Sequence, residues 1–285
     1  MSAPIGFIGQ GWIGRNYAND FEARGLVVVR YGLEPEYASN KEMLRTCSMV
    51  FIAVPTPTTR EGFDDSHLRS ALTLVASRTI VVLKSTLLPG TTERLQEDFP
   101  ELLILNSPEF LRESSAAHDA AHPERTLIGI PEDTERYRSA AQLVLNVLPP
   151  APYTQIMSSR AAELTKYAGN VFLAMKVVYA NMLYDLAHDI GVDYEDVRSA
   201  LSADTRIGAS HLQPVDASGH SDKKGRGAGG HCFIKDLEAL RQLARTASKN
   251  KETDALFDAL VQNNNALLRD SEKDLDLLEG VYGPL

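Results

Sequence analysis

Cys232 stands in the run Gly229-Gly230-His231-Cys232-Phe233-Ile234-Lys235-Asp236. A thiol that follows glycines at what reads as a helix N-terminus is placed for a lowered pKa and for nucleophilic attack. Asp236, one turn later, shares its face. The alternative for such a thiol is a small buried residue, which is the reading of Cys47, just ahead of a strand. His231 is ambiguous, and with no second Cys or His at ligand spacing no metal site is expected. Upstream, Lys166-Tyr167-Ala168-Gly169-Asn170 puts an amine and an amide four residues apart on one helical face. Together they can hold a substrate oxygen and stabilise an alkoxide. Spacing alone leaves a solvated lysine and an unremarkable asparagine as the alternative.

Near the start of the chain, Gly9-Gln10-Gly11-Trp12-Ile13-Gly14 is a G-x-G-x-x-G run behind an apolar strand. Its glycines permit a tight turn, close approach to a pyrophosphate and close helix packing, and the following helix N-terminus attracts phosphate charge. Gly9, Gly11, Trp12, Ile13 and Gly14 are therefore candidate dinucleotide contacts. An acid closing the second strand would anchor a ribose. That strand ends Val29-Arg30-Tyr31-Gly32, and the nearest acid is Glu34. NAD is favoured as cofactor, and Arg30 leaves NADP open.

These groups need elements to hold them. Residues 5–8, 26–31, 49–54, 79–84, 102–106 and 126–130 read as strands, with helical patterns at 11–24 and 65–76 between them. Alternating β and α implies an α/β fold with a Rossmann-like parallel sheet covered on both faces. Pro149-Pro150-Ala151-Pro152 reads as a stiff break. It divides the chain into a dinucleotide-binding domain, 1–150, and an all-helical domain, 151–285, that carries Lys166 and Cys232. The second domain is built on one long central helix over 159–190, with helices at 194–202, 235–247 and 253–268. Residues 214–230, with five glycines, read as a mobile loop.

Composition narrows the function classes. The 285 residues are 44% hydrophobic and 24% charged, enough apolar content to exclude global disorder. Twenty-nine Lys and Arg against 38 Asp and Glu leave a net charge of −9 and no basic tract for nucleic acid. A local basic cluster remains compatible with an anionic small substrate. Two cysteines exclude a disulfide scaffold. No secretory signal or membrane-length apolar run is read, so a cytoplasmic protein with reduced thiols is expected.

In order and spacing these motifs resemble the UDP-glucose/GDP-mannose dehydrogenase family. Further segments are similar: Val54-Pro55-Thr56-Pro57, Lys84-Ser85-Thr86 with Pro89-Gly90-Thr91-Thr92, Ser107-Pro108-Glu109-Phe110-Leu111-Arg112-Glu113, Ala162-Glu163-Leu164 through Asn181, and Asp204-Thr205-Arg206-Ile207-Gly208. The resemblance implies oxidation of a primary alcohol to a carboxylate, in two hydride transfers to NAD, on a nucleotide sugar such as UDP-glucose, in polysaccharide biosynthesis. It implies that Lys166 and Asn170 stabilise the substrate oxygen and that Asp236 positions Lys166 and a water. Cys232 matches a nucleophile passing through a thiohemiacetal and a thioester. Glu113 matches the general base for hydrolysis, and Thr86 a residue near water and cofactor. Thr56 matches a cofactor-side loop, and Lys235 a phosphate contact. Glu109, Phe110, Leu111 and Gly229 fall on the substrate side. Arg206 matches an arginine that reaches a neighbouring subunit's substrate, which implies a homodimer.

The family pattern continues into a third, nucleotide-gripping domain, so a truncated form lacking it is expected, with a separate chain as one possible replacement. Ile234 stands where the family usually has proline. Residues 215–225 look like an insertion, read either as a lid over the substrate or as a surface loop. Glu109 and Glu113 share the spacing of any solvated helix face. Two other functions fit the same residues: a two-electron 3-hydroxyacid dehydrogenase, and a non-catalytic dinucleotide-binding partner protein.

Overall fold

The computed structural model describes residues 3–284. The chain runs β1 (Ile5–Ile8), α1 (Trp12–Ala23), β2 (Val28–Tyr31), α2 (Pro35–Ala38), β3 (Met49–Ile52), β4 (Thr58–Thr59), β5 (Gly62–Phe63) and α3 (Ser66–Leu72). It continues through β6 (Ile80–Leu83), α4 (Thr91–Asp98), β7 (Leu103–Asn106), α5 (Ala116–Ala121), β8 (Arg125–Ile130), α6 (Glu135–Val147) and β9 (Tyr153–Ser158). Helices follow: α7 (Ser159–Asp189), α8 (Tyr194–Ala203), α9 (Gly230–Ala247), α10 (Lys251–Asp270) and α11 (Leu275–Tyr282). Among the described residues, no helix is long and apolar enough to cross a membrane.

The chain forms two compact units. The first comprises the residues up to Pro57 together with Asp64–Lys166, and the second Thr58–Phe63 and the residues from Tyr167 onward. The expected break at 149–152 is thus not where the first unit stops. Behind the prolines the chain enters β9, which pairs in parallel with β8 along its whole length, Arg125 to Tyr153 through Ile130 to Ser158.

In the first unit, seven of the described strands make one sheet in the order β2-β1-β3-β6-β7-β8-β9. Its neighbours are parallel except β7 and β8, which meet antiparallel at Asn106 and Gly129. The expected parallel sheet departs from parallel at this one pair because a parallel pair needs a crossover, usually helical. The six-residue α5 is only about 9 Å long, too short to return the chain along a strand. The central strands β1, β3 and β6 are buried at every position, as continuous apolar runs covered on both faces must be. Their core is a phenylalanine cluster. Phe7 and Phe51 stack with centroids 5.0 Å apart, and Phe21 of α1 meets both edge-on at 5.1 and 5.2 Å. Cys47 is buried, and desolvation pushes its thiol up to about 11.

The second unit is helical but holds the β4–β5 hairpin, whose Thr59 carbonyl accepts from Gln242 of α9 at 3.0 Å. Ile234, Leu268, Leu278 and Val281 form one core cluster of α9, α10 and α11. Val171, Leu237 and Val261 join α7 to α9 and α10. Ala180, Ala187 and Tyr194 pack α8 on α7. Phe51→Ala should destabilise the first unit by about 3–5 kcal/mol through cavity formation, read as a lower urea midpoint.

Candidate active site

In the first unit, β1 delivers the chain into the glycine run. Gly9 has φ +91°, and a Cβ there would lie 2.3 Å from the Ala53 carbonyl oxygen. A Cβ on Gly14 would lie 1.9 Å from the Gly9 oxygen. Those two glycines are fixed by the protein's own packing. Gly11 is different: a Cβ there meets nothing within 4 Å, and it is the N-cap of α1 with no side-chain cap bond. The open approach and uncapped N–H groups of a twelve-residue helix fit a pyrophosphate. Beneath them Gln10 is buried, its Oε1 without a partner.

The strand-end expectations resolve around Glu34 and Arg30. Glu34 folds back so that its Oε2 would lie 2.2 Å from a Cβ on Gly32, at the end of β2. Arg30 donates to both carboxylate oxygens of Glu22, at 2.9 and 2.7 Å, and to Asn19. Trp12 is exposed, while Ile13 packs against the core. Across the sheet ends, Thr56 donates to the Thr86 carbonyl at 2.8 Å, and Ser85 Oγ both donates to and accepts from the Val54 backbone. Thr86 is thereby held beside the loop that carries Thr56.

The segment after β7 carries the acids. Glu109 is buried, accepts from the Leu111 amide at 2.7 Å, and receives Lys166 Nζ at 2.7 Å. Phe110 lies under the Arg125 guanidinium, 3.9 Å from ring centroid, with Lys166 Nζ at 5.6 Å. Leu111 packs on the core. Glu113 is exposed at the start of a 3-10 turn. The two acids therefore share no helix face, because Glu109 precedes the turn on extended loop.

Three supporting groups carry no role in the sequence reading, although Lys84 and Glu163 lie in family-like segments. Lys84 is buried, donates to Ser107 Oγ at 3.0 Å and sits 4.3 Å over the Tyr17 ring. Burial pushes its ammonium down to about 7, against the opposing pull of Glu109. Tyr17 is raised, first by burial and then by Glu109. Glu163 of α7 accepts from the Gly90 amide, the Thr92 amide and Thr92 Oγ1 at 2.6, 2.8 and 2.6 Å, capping α4. Burial raises it to about 7 while those donors oppose the shift.

In the second unit, Asp236 is fully buried and accepts from Asn170 Nδ2 at 2.6 Å and from Lys235 Nζ at 2.5 Å. Helix α9 begins at Gly230, five residues earlier than the sequence reading, so Cys232 sits in its first turn and is partly buried. First-turn N–H groups favour negative charge. Its loop is pinned from α10 and α11. Asn264 accepts from the Ala228 amide and donates to its carbonyl, Asp274 accepts from the Gly230 amide at 2.8 Å, and Lys273 donates to the Gly227 carbonyl at 3.0 Å. A Cβ on Gly229 would lie 2.1 Å from Asp274 Oδ2. Arg206 is exposed and paired with Asp204. The segment 215–225, expected from the sequence to be an insertion, is closed by a two-way backbone pair between Asp216 and Gly225.

Two family profiles match the chain. The UDP-glucose/GDP-mannose dehydrogenase family, NAD binding domain, covers residues 36–145, and the central domain of the same family covers residues 160–266. A UDP-glucose 6-dehydrogenase of Pseudomonas aeruginosa is 36% identical over 218 residues, 71% of this chain and 46% of that protein. A putative UDP-glucose 6-dehydrogenase of Bacillus subtilis is 35% identical over 226 residues, 75% of this chain and 49% of that protein. The chain thus spans about half the length of these relatives. Among solved structures, a UDP-glucose dehydrogenase from Pyrobaculum islandicum superposes with a TM-score of 0.79 at 29% identity, over 94% of this chain and 69% of that one. A 3-hydroxyisobutyrate dehydrogenase of Mycobacterium tuberculosis covers 98% of both chains with a TM-score of 0.72, but at 17% identity it shares the fold alone. The cradle and the NAD-binding profile together support a nicotinamide dinucleotide cofactor.

Gly11→Ala should lower the unfolding midpoint only slightly, since its Cβ meets no protein atom and the change touches only the N-cap of α1. It should weaken dinucleotide binding about tenfold, or ~1.4 kcal/mol, in a fluorescence titration with NADH.

Proposed function

Because the chain belongs to the UDP-glucose/GDP-mannose dehydrogenase family, we propose that it oxidises the primary alcohol of a nucleotide sugar, UDP-glucose foremost, to the carboxylate with NAD. One observation carries the reading. Lys166 and Asn170 stand one helical turn apart on α7, and each is gripped by a buried carboxylate, Glu109 and Asp236 respectively. A buried ion pair is a poor device for stability alone, but it fixes donors in place before reaction. Preorganised donors stabilise the charge that develops on the substrate oxygen as its carbon loses hydride. The dinucleotide, held by Gly9, Gly11, Gly14, Thr56 and Glu34, supplies the hydride acceptor.

Two features favour NAD over NADP. The Glu34 carboxylate lies at the end of β2, where it would accept from ribose hydroxyls and repel a 2′-phosphate. Arg30, the cation that a 2′-phosphate would need, is committed to Glu22.

The second oxidation uses Cys232. Its sulfur adds to the aldehyde to give a thiohemiacetal, whose oxidation leaves a thioester. Glu113, exposed to solvent, takes a proton from the hydrolytic water, and Thr86 helps position that water. Lys235 donates to Asp236 and brings a positive charge for a phosphate to the Cys232 helix. Phe110, Leu111, Gly229 and Arg206 complete the substrate contacts. A cytoplasmic setting keeps the thiol reduced.

The protein acts as a homodimer through α7. Phe172, Met175, Tyr179, Met182 and Leu186 recur at intervals of three and four residues, and each is more than a third exposed. A contiguous apolar stripe of this kind suits a second copy of the same helix.

Purified protein with UDP-glucose should yield two NADH per sugar. One NADH per substrate would instead favour a two-electron hydroxyacid-type dehydrogenase, and cofactor binding without turnover a partner protein. Cys232→Ala should abolish acid formation while allowing the first oxidation. Undiminished acid from that variant would refute the thioester route. Replacing Tyr179 and Met182 together by Glu should halve the mass in light scattering.

A further inference from the structure

Three titratable side chains beside the Cys232 loop have no part in the reaction described above. His231 immediately precedes Cys232 in the first turn of α9. Its Nε2 lies 3.1 Å from Nδ1 of His220, and Nε2 of His220 lies 2.8 Å from Oδ2 of Asp276 on α11. The two rings meet edge to face, with centroids 4.7 Å apart and planes at 87°. His220 comes from the 215–225 segment, which is anchored at both ends. The Asp216–Gly225 backbone pair closes its base, and Lys223 reaches Glu272 at 3.0 Å. The Ser218 carbonyl lies 3.1 Å from where a Cβ on Gly230 would be, against the start of α9. The segment is a folded Ω-loop that brings an imidazole to the helix turn bearing the nucleophile.

With His220 neutral, hydrogen-bond logic assigns the protons along this line. An ionised carboxylate only accepts, so the proton between Asp276 and His220 sits on Nε2 of His220. In a neutral ring the other nitrogen is then the acceptor, so Nδ1 of His220 accepts from Nε2–H of His231. That leaves the lone pair of His231 on Nδ1, and His231 is exposed. The hydrogen bond from His220 holds the Asp276 carboxyl below its ordinary value. Other charged groups around the line have partners of their own. Lys273 donates to Gly225 and Gly227, Asp274 caps Gly230, Lys223 pairs with Glu272, and Lys235 pairs with Asp236.

We propose that Asp276, His220 and His231 form a proton relay serving the Cys232 thiol, with Nδ1 of His231 as the proton acceptor. The assignment rests on the reading of Cys232 as the nucleophile. As sulfur adds to the aldehyde, the S–H bond breaks, the C–S bond forms and the carbonyl π pair moves onto oxygen. The proton passes to His231, and the resulting imidazolium is balanced by Asp276 through His220. When water cleaves the thioester, the C–S bond breaks and the leaving sulfur takes that proton back. His220 and Asp276 are positioning residues: they fix the tautomer of His231 without touching substrate.

The test is the rate at which iodoacetamide alkylates Cys232 in the full chain without substrate, followed by mass spectrometry of the Cys232 peptide. Near pH 7, His231→Gln should slow alkylation about tenfold, and His220→Gln or Asp276→Asn about threefold. The double variant His220→Gln/His231→Gln should be no slower than His231→Gln alone, since the relay acts as a unit. Near pH 10, where solvent ionises the thiol directly, all variants should converge on the parent rate. Unchanged rates near pH 7, or equal losses at both pH values, would overturn the relay, the second pointing to a merely structural loop contact. Acid formation by Cys232→Ala would overturn the nucleophile reading instead, so the two failures are distinct.

Discussion

The ion pair between Lys166 and Glu109 sets the conditions for everything around it. Both side chains are almost fully buried, at 5% and 6% exposure, and either one alone would be a strongly destabilising charge. The loop after β7 must therefore turn inward at Glu109, where the Leu111 amide completes the carboxylate's shell. Phe110 is turned toward Arg125 and Lys166 by the same segment. Lys84 meets the constraint differently. It has a hydroxyl and an aromatic face for partners rather than a contacting carboxylate, so burial pushes it toward the neutral form.

The Cys232 loop obeys the same rule with neutral groups. Backbone polar atoms in a buried loop need partners, and this loop takes them from elements far along the chain. Asn264 satisfies both the amide and the carbonyl of Ala228, as a strand neighbour would. Asp274 meets the first amide of α9. Gly229 is required because Asp274 comes so close, and Gly227 because its φ of +87° is one that L side chains rarely adopt. Geometry at the thiol is thus set by α10 and the start of α11.

Apolar runs made the sheet legible. Strands β1, β3 and β6 are Ile-, Val- and Phe-rich and fully buried, so periodicity alone located them. The long helix was legible for the opposite reason, an uninterrupted stretch of good helix formers. Strand β9 was not legible: it lies at the sheet edge, its outer residues are exposed, and prolines precede it. The site divides along the same line. Gly9 to Gly14 and the Cys232 run stand out by local pattern, whereas Lys166 and Asn170 stand out only through the family resemblance, since their four-residue spacing also suits a solvated helix face. The burial of Glu109, the cap formed by Glu163 and the line from Asp276 to His231 join residues dozens of positions apart, and no local pattern encodes them. Even the four-residue interval between Glu109 and Glu113 misleads, because it suggests a helix where the chain is a loop followed by a turn.

The short β4–β5 hairpin has a consequence for how the chain comes to be folded. Its six residues belong to the second unit, although they are synthesised in the midst of the first. The bond from Gln242 to Thr59 spans 183 positions, a separation that slows folding because the loop must close before the contact stabilises anything. During synthesis the hairpin emerges well before α9, its partner. The covalent chain passes between the units three times, at 57/58, 63/64 and 166/167. No single cut yields both units whole, and a fragment starting at Tyr167 lacks two strands of its own unit. For genetic dissection the protein therefore behaves as one indivisible piece, though it has two cores.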